Sequence, residues 1–198
     1  VNPLKRVQYN APVILTFAII CFVVLLLGQW LEPGTYQRFF SVFRGSWADP
    51  LTYWRMFSHV LGHANYAHYI GNFMLILLVG PLLEERYGGK WLIIMMLVTA
   101  FVTGVLHMMV AGNVAKLGAS GIVFMLILLS SFTNLQRGRV PLTLILVLVI
   151  FIGNELVSAF GADADSNIAY MSHIVGGLCG AAFGFFVNKE MRNDVAEG

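Results

Sequence analysis

The sequence predicts an all-α, polytopic membrane protein built as one bundle of six transmembrane helices. Three observations predict it. The chain of 198 residues is 58% hydrophobic and only 11% charged, whereas a soluble surface needs about a quarter of its residues charged. Its charges gather in short clusters between long apolar stretches, and six such stretches can be laid down in order. The length suits a single domain, 1–198, with a long extracytoplasmic loop at about 32–67 and no room for a separate soluble domain.

Span one runs from about Ala11 to Leu31, and the loop after it carries Glu32, Arg38, Arg44, Asp49 and Arg55. Span two begins near His68 and ends near Leu83; span three covers about Trp91 to Val110, span four Ser120 to about Asn134, span five Val140 to about Phe160, and span six about Ala169 to Val187. A full crossing needs about 20 residues at about 1.5 Å rise each, so spans two and four read as short. Short helices inside a bundle leave a depression that water can enter. With both termini on one side, that side collects Lys5, Arg6, Arg86, Lys90, Arg137, Arg139, Lys189 and Arg192, against Arg38, Arg44, Arg55 and Lys116 on the other. The richer side is expected to be cytoplasmic. Trp30 and Trp91 fall at span ends, where an interfacial belt wants them. Cys21 and Cys179 lie inside apolar runs and read as small hydrophobes rather than as a disulfide. The basic residues form flanking pairs with no stripe or aromatic interleaving, which excludes a nucleic-acid partner.

On this frame Asn72, Ser120 and His173 share the outer half of the bundle, and His63 precedes span two at the same depth. Serine is a poor nucleophile unless an imidazole removes its proton, and His173 is the histidine of the late spans that can do so. A tetrahedral acyl intermediate then needs donors for its oxyanion. The backbone N–H of Ser120 at a helix N-terminus is one, and the side chains of His63 and Asn72 are the others expected. Nothing aims Asp163 or Asp165 at the imidazole, so neither is given a role. Ser172, Gly176, Gly180 and Gly184 make a smooth stripe along span six, with Gly177 beside it, and Gly118 and Gly121 bracket the serine. Packing that stripe on span four would bring hydroxyl and imidazole together. Glycine stripes also serve transporters and purely structural bundles, so the stripe alone does not select catalysis.

The remaining polar residues read more plainly. His59 and His63 stand at helical i, i+4 spacing, but no HExxH and no carboxylate at ligand spacing accompanies them, so neither a metal nor a cofactor is expected. His68 reads as a structural hydrogen-bonding residue at the start of span two, and His107 as interfacial or packing. Glu155, inside span five, must be protonated, paired or wet; it either lines a water route or packs beside Asn154. Met95 and Met96 are adaptable packing.

Gly118-Ala119-Ser120-Gly121 resembles the GxSG motif of the rhomboid intramembrane proteases, and His173 with Gly176 and Gly177 resembles the histidine-bearing last core helix of that family. His63, His68 and Asn72 are similar to its two histidines and asparagine around the second helix, Trp54-Arg55 to the pair in its first loop, and Glu84 with Arg86 to its ExR pattern. The resemblance covers nearly the whole chain, as the six-helix core form. It implies a serine endopeptidase with a Ser120–His173 dyad and an oxyanion site of the Ser120 backbone, His63 and Asn72, supported by His68, Gly118, Gly121, Phe124, Gly176 and Gly177. It further implies single-span membrane proteins as substrates, membrane lipids as surroundings, and residence in the bacterial inner membrane with both termini cytoplasmic and the active site opening to the extracytoplasmic side. Phe124 departs from members with a tyrosine four residues after the serine; the ring for stacking remains and the hydroxyl is lost. Two other classes fit less well: a noncatalytic rhomboid-like binding or quality-control protein, which the presence of both Ser120 and His173 disfavours, and a small transporter, which would want a polar pathway or inverted repeats.

Overall fold

A computed structural model of the protein describes residues 8–110, 114–133 and 164–197, together with Leu142, Ile145, Leu146 and Val149. Seven α-helices and no strand are found among the described residues: α1 (Pro12–Leu27), α2 (Pro33–Phe40), α3 (Pro50–Ser58), α4 (Tyr66–Tyr87), α5 (Gly89–Val110), α6 (Ser120–Thr133) and α7 (Ala164–Glu197). The predicted fifth span, Val140–Phe160, lies outside the described residues apart from the four isolated ones, which are helical.

Local chemistry sets most helix ends. Each of α1, α2 and α3 opens on a proline, whose missing N–H is no loss in a first turn. The free N–H groups of Val13 and Ile14 at the start of α1 donate to the Glu84 carboxylate of α4 at 2.9 and 3.0 Å, so one helix caps another from 70 residues away. Asp49 caps α3 by accepting from the Leu51 N–H at 3.0 Å, and its other oxygen takes the Arg55 guanidinium at 2.9 Å. The segment read as one long loop at about 32–67 therefore holds two short helices. Both were hidden from a reading of span length because neither is long enough to cross a membrane.

Span two is corrected in the same way. Asn65 accepts from the His68 N–H at 2.9 Å and starts α4 at Tyr66, and the helix runs 22 residues through Pro81 to Gly88, whose φ of 78° ends it. It is a full-length span, since Glu84 and Arg86 continue the helix beyond the apolar stretch. α6, at 14 residues, is short as expected. α7 starts before Ala169 and runs past Val187, 34 residues in all.

α6 is the central helix. Residues from Gly121 to Ile127 are all buried, and it packs on α4, α5 and α7. The outer faces of the surrounding helices are bare hydrocarbon: Met74 and Leu78 of α4 are each 70% exposed and Leu178 of α7 is 64% exposed. Such faces suit lipid as their solvent, and α4 and α5 are each long and apolar enough to span a bilayer. In lipid, burying leucine gains little, so α6 is held by close packing and by polar ties at its ends.

Candidate active site

The turn that delivers Ser120 is fastened on three sides. Val42 and Lys116 exchange both backbone hydrogen bonds, at 2.8 and 2.9 Å; the Gly118 N–H donates to the His59 carbonyl at 2.9 Å; and His107 Nε2 donates to the Val114 carbonyl at 2.8 Å. Gly118 then takes φ of 129°, a region L side chains rarely enter, and a Cβ there would stand 2.7 Å from Cε1 of His68. Glycine is required twice over at this point. Two residues later Ser120 begins α6, with the Val123 N–H closing the first turn on the Ala119 carbonyl at 3.0 Å. First-turn N–H groups have no partner within their own helix, so this is where a developing anion is best received.

The imidazole is seated on α6, one helical turn beyond Ser120, by a seam without side chains. A Cβ on Gly176 would overlap the Gly121 carbonyl, and one on Gly180 would overlap the Met125 carbonyl, so α6 and α7 meet backbone to backbone. Gly177 differs from them, because a methyl there would make only ordinary contact with Leu128 at 3.6 Å. At the upper end of the seam the His173 ring lies flat on Phe124, with centroids 4.8 Å apart and planes 6° from parallel. Phe124 follows Ser120 by four residues and so shares its helix face one turn below.

α4 and the segment before it contribute a cluster of rings and one amide. The backbone of His63 is clasped by the Tyr36 hydroxyl, which accepts from the His63 N–H at 3.0 Å and donates to its carbonyl at 3.2 Å. The His63 ring is wedged against His68, Tyr69 and Phe73 at centroid distances of 5.2, 5.5 and 5.7 Å. Burial, helped by the neighbouring His68 and opposed by the Leu61 carbonyl, pushes its pKa down to about 4, so the ring is neutral near pH 7. The Leu61 carbonyl 3.3 Å from Nδ1 can only accept; Nδ1 therefore carries the proton, and the buried Nε2, with no partner among the described residues, presents a lone pair. Asn72 is also buried, and its Nδ2 has no hydrogen-bond partner among the described residues.

Histidine 68 stands closer to the serine turn than the sequence alone suggests. Its ring rests on Gly118, two residues before Ser120, and packs edge-on against the His63 ring. Sequence spacing could not rank the two, because the bend between α3 and α4 decides which ring faces the turn. His59 is a tether: Nδ1 sits 3.1 Å from the Arg55 carbonyl, Nε2 lies 3.4 Å from the Thr103 hydroxyl, and the backbone carbonyl holds Gly118. Among the described residues no group of three or more His, Cys, Asp or Glu could hold a metal. His107 is buried and anchors the loop, the packing alternative of the two expected for it. Glu155 and Asn154 lie outside the described residues.

Two residues of this region were missed in the sequence. Tyr36 clasps His63 from α2, a helix the loop reading did not contain. Lys116 was read only as an orientation charge, yet it is buried, and burial pushes its ammonium down to about 7. A lone cation two residues ahead of Gly118 in an uncharged stretch was the available signal.

The family model for the Rhomboid domain matches residues 50–190, more than two thirds of the chain. No curated protein matches the sequence. The chain belongs to the rhomboid family, whose members are integral membrane proteins and mostly serine intramembrane proteases.

Proposed function

We propose that this rhomboid is an active serine endopeptidase that cleaves peptide bonds in or near transmembrane segments. The observation that carries the reading is the flat stack of His173 on Phe124, one helical turn from Ser120, along a seam that leaves no room for side chains between α6 and α7. In this reading the Ser120 hydroxyl attacks the scissile carbonyl while His173 takes its proton. The oxyanion is received by the Ser120 N–H and by Asn72, with His68 and His63 beside it; His63 becomes a donor through Nε2 only by exchanging tautomers and giving up Leu61. His173 then returns the proton to the leaving amine, and water hydrolyses the acyl-enzyme.

The buried amide of Asn72 supports this assignment. Leaving such a donor unpaired costs about 1–3 kcal/mol, which is accounted for if its partner is a charge that exists only during reaction. No metal or cofactor enters the steps. The remaining features follow as proposals: single-span membrane proteins as substrates, the bacterial inner membrane as location, both termini in the cytoplasm, and a site that opens outward. The test is kinetic. Asn72→Ala should slow turnover of a transmembrane substrate about ten- to a thousandfold with a much smaller effect on binding. A folded Asn72→Ala enzyme with unchanged acylation kinetics removes Asn72 from the site.

A further inference from the structure

Between α1, α3 and α5 the structure holds a cavity of about 520 Å³. Phe17, Met96 and Ala100 form its inner wall, Ile122 of α6 its back, and Trp54 and Phe57 of α3 its upper lip. Among its lining residues only two carry side-chain hydroxyls whose contacts matter, and both are already satisfied: Thr16 Oγ1 pairs with the Tyr9 hydroxyl at 2.9 Å, and the Ser58 hydroxyl donates to the Phe39 carbonyl at 2.6 Å. Its mouth is continuous with the bare outer surface of the bundle, where Ile20, Ile93 and Leu97 are 43%, 44% and 50% exposed.

These features choose among possible occupants. Water needs about two to four polar partners and finds none free on these walls. An unwound peptide would bring backbone N–H and C=O groups that nothing here could satisfy. A helix, about 10 Å across with its side chains, is too thick for a cavity of this size beneath the lip of α3. A flexible hydrocarbon chain needs no hydrogen bonds, can bend beneath that lip, and is the solvent that the mouth already faces. We propose that this cavity is a binding site for one acyl chain of a bilayer phospholipid. Its roof continues into the segment whose His59 carbonyl holds Gly118, and its back wall, Ile122, follows Ser120 by two residues. Chain packing in this cavity therefore props the α3 segment that fastens the serine turn.

The experiment is photolabelling in phosphatidylcholine vesicles doped with phosphatidylcholine carrying a diazirine midway along one acyl chain, with labelled residues mapped by mass spectrometry. The Ser120→Ala protein serves as well as the parent, so the outcome is independent of the proposed proteolysis. The expected result is labelling of Phe17, Met96 and Ala100, which are only 9%, 7% and 2% exposed, at or above the level on Met74 and Leu78. Ala100→Phe fills the cavity, and Leu97→Trp narrows its mouth from a lipid-facing position where folding is not at risk. Either should lower the inner-wall labelling about tenfold while sparing α4, as expected when a bound chain loses roughly 1.4 kcal/mol of contact. Labelling that follows exposure alone, or that persists in the folded Leu97→Trp protein, overturns the site. Labelling of the inner wall by a diazirine-bearing transmembrane peptide and not by the lipid would overturn it in favour of a polypeptide.

Discussion

The two sides of α6 are built by opposite rules. Toward α7, Gly121 and Met125 present carbonyl oxygens to Gly176 and Gly180 with no side chain between them. Toward α1, α3 and α5, Ile122 backs onto a cavity of about 520 Å³. A glycine seam fixes two backbones within a few tenths of an ångström, which is the tolerance a proton transfer demands. The cavity fixes nothing so finely, and its lining can exchange one apolar shape for another of similar volume. Reacting groups are accordingly expected on the two helices of the first side, and the proposed pair, Ser120 and His173, belongs to them.

The sharpest way to break the comparison is a single methyl. Gly176→Ala places a carbon into the Gly121 carbonyl, so α7 must withdraw; turnover should fall at least about a hundredfold, with about 1–3 kcal/mol of stability lost. Gly71 of α4 has open space around it, and Gly71→Ala should leave turnover unchanged and stabilise the helix by up to about 1 kcal/mol. Turnover and reversible unfolding in mixed micelles, measured on both variants, check the pair. If Gly176→Ala matched Gly71→Ala, the seam would not be what positions the imidazole.

A smaller effect tests the ring that seats His173. Phe124→Ala should remove about 0.5–1.5 kcal/mol of ring contact and cost roughly tenfold in turnover, while Phe124→Tyr keeps the face and should stay near the parent. Equal turnover in Phe124→Ala and Phe124→Tyr would show that the stack does not orient the base.

The smallest effects lie in the pH dependence of stability, at the turn that joins the two sides. Lys116 binds its proton more weakly when folded, near 7 against 10.5 when exposed, so the unfolded chain holds more protons between those values and stability rises with pH across them. Lys116→Met should flatten that rise and stabilise the protein near neutrality. His63, near 4 folded against 6.5 free, gives stability that is full above 6.5 and is lost as pH falls toward 4; His63→Gln should remove that loss. Unfolding midpoints across the two windows check both signs.

How much of this was legible in the sequence divides along the same line. The serine turn and the glycine stripe could be read because small residues at fixed spacing have few other uses in an apolar helix, and the structure does lay Gly176 and Gly180 on α6. α2 and α3 were not legible as helices by span length, since each is shorter than ten residues and made by a proline start and, for α3, an Asp49 cap. The full length of α4 was hidden because Glu84 looked like a boundary, when its carboxylate is spent on the start of α1. The order of His63 and His68 around the turn was not legible at all, as it depends on a bend and on the Tyr36 clasp, neither of which has a spacing signature. The cavity leaves no trace in the sequence, where its walls read as ordinary apolar helix.

The function proposed for this protein turns on Ser120 being a nucleophile activated by His173. The most direct measurement of this is labelling of the membrane-reconstituted protein by a serine-directed fluorophosphonate, followed by mapping of the modified residue. The expected result is approach to one label per chain, located on Ser120, absent from Ser120→Ala and slowed by about three orders of magnitude or more in His173→Ala. A folded parent protein that cleaves a single-span substrate while Ser120 stays unlabelled, or a His173→Ala protein that labels at the parent's rate, would contradict it.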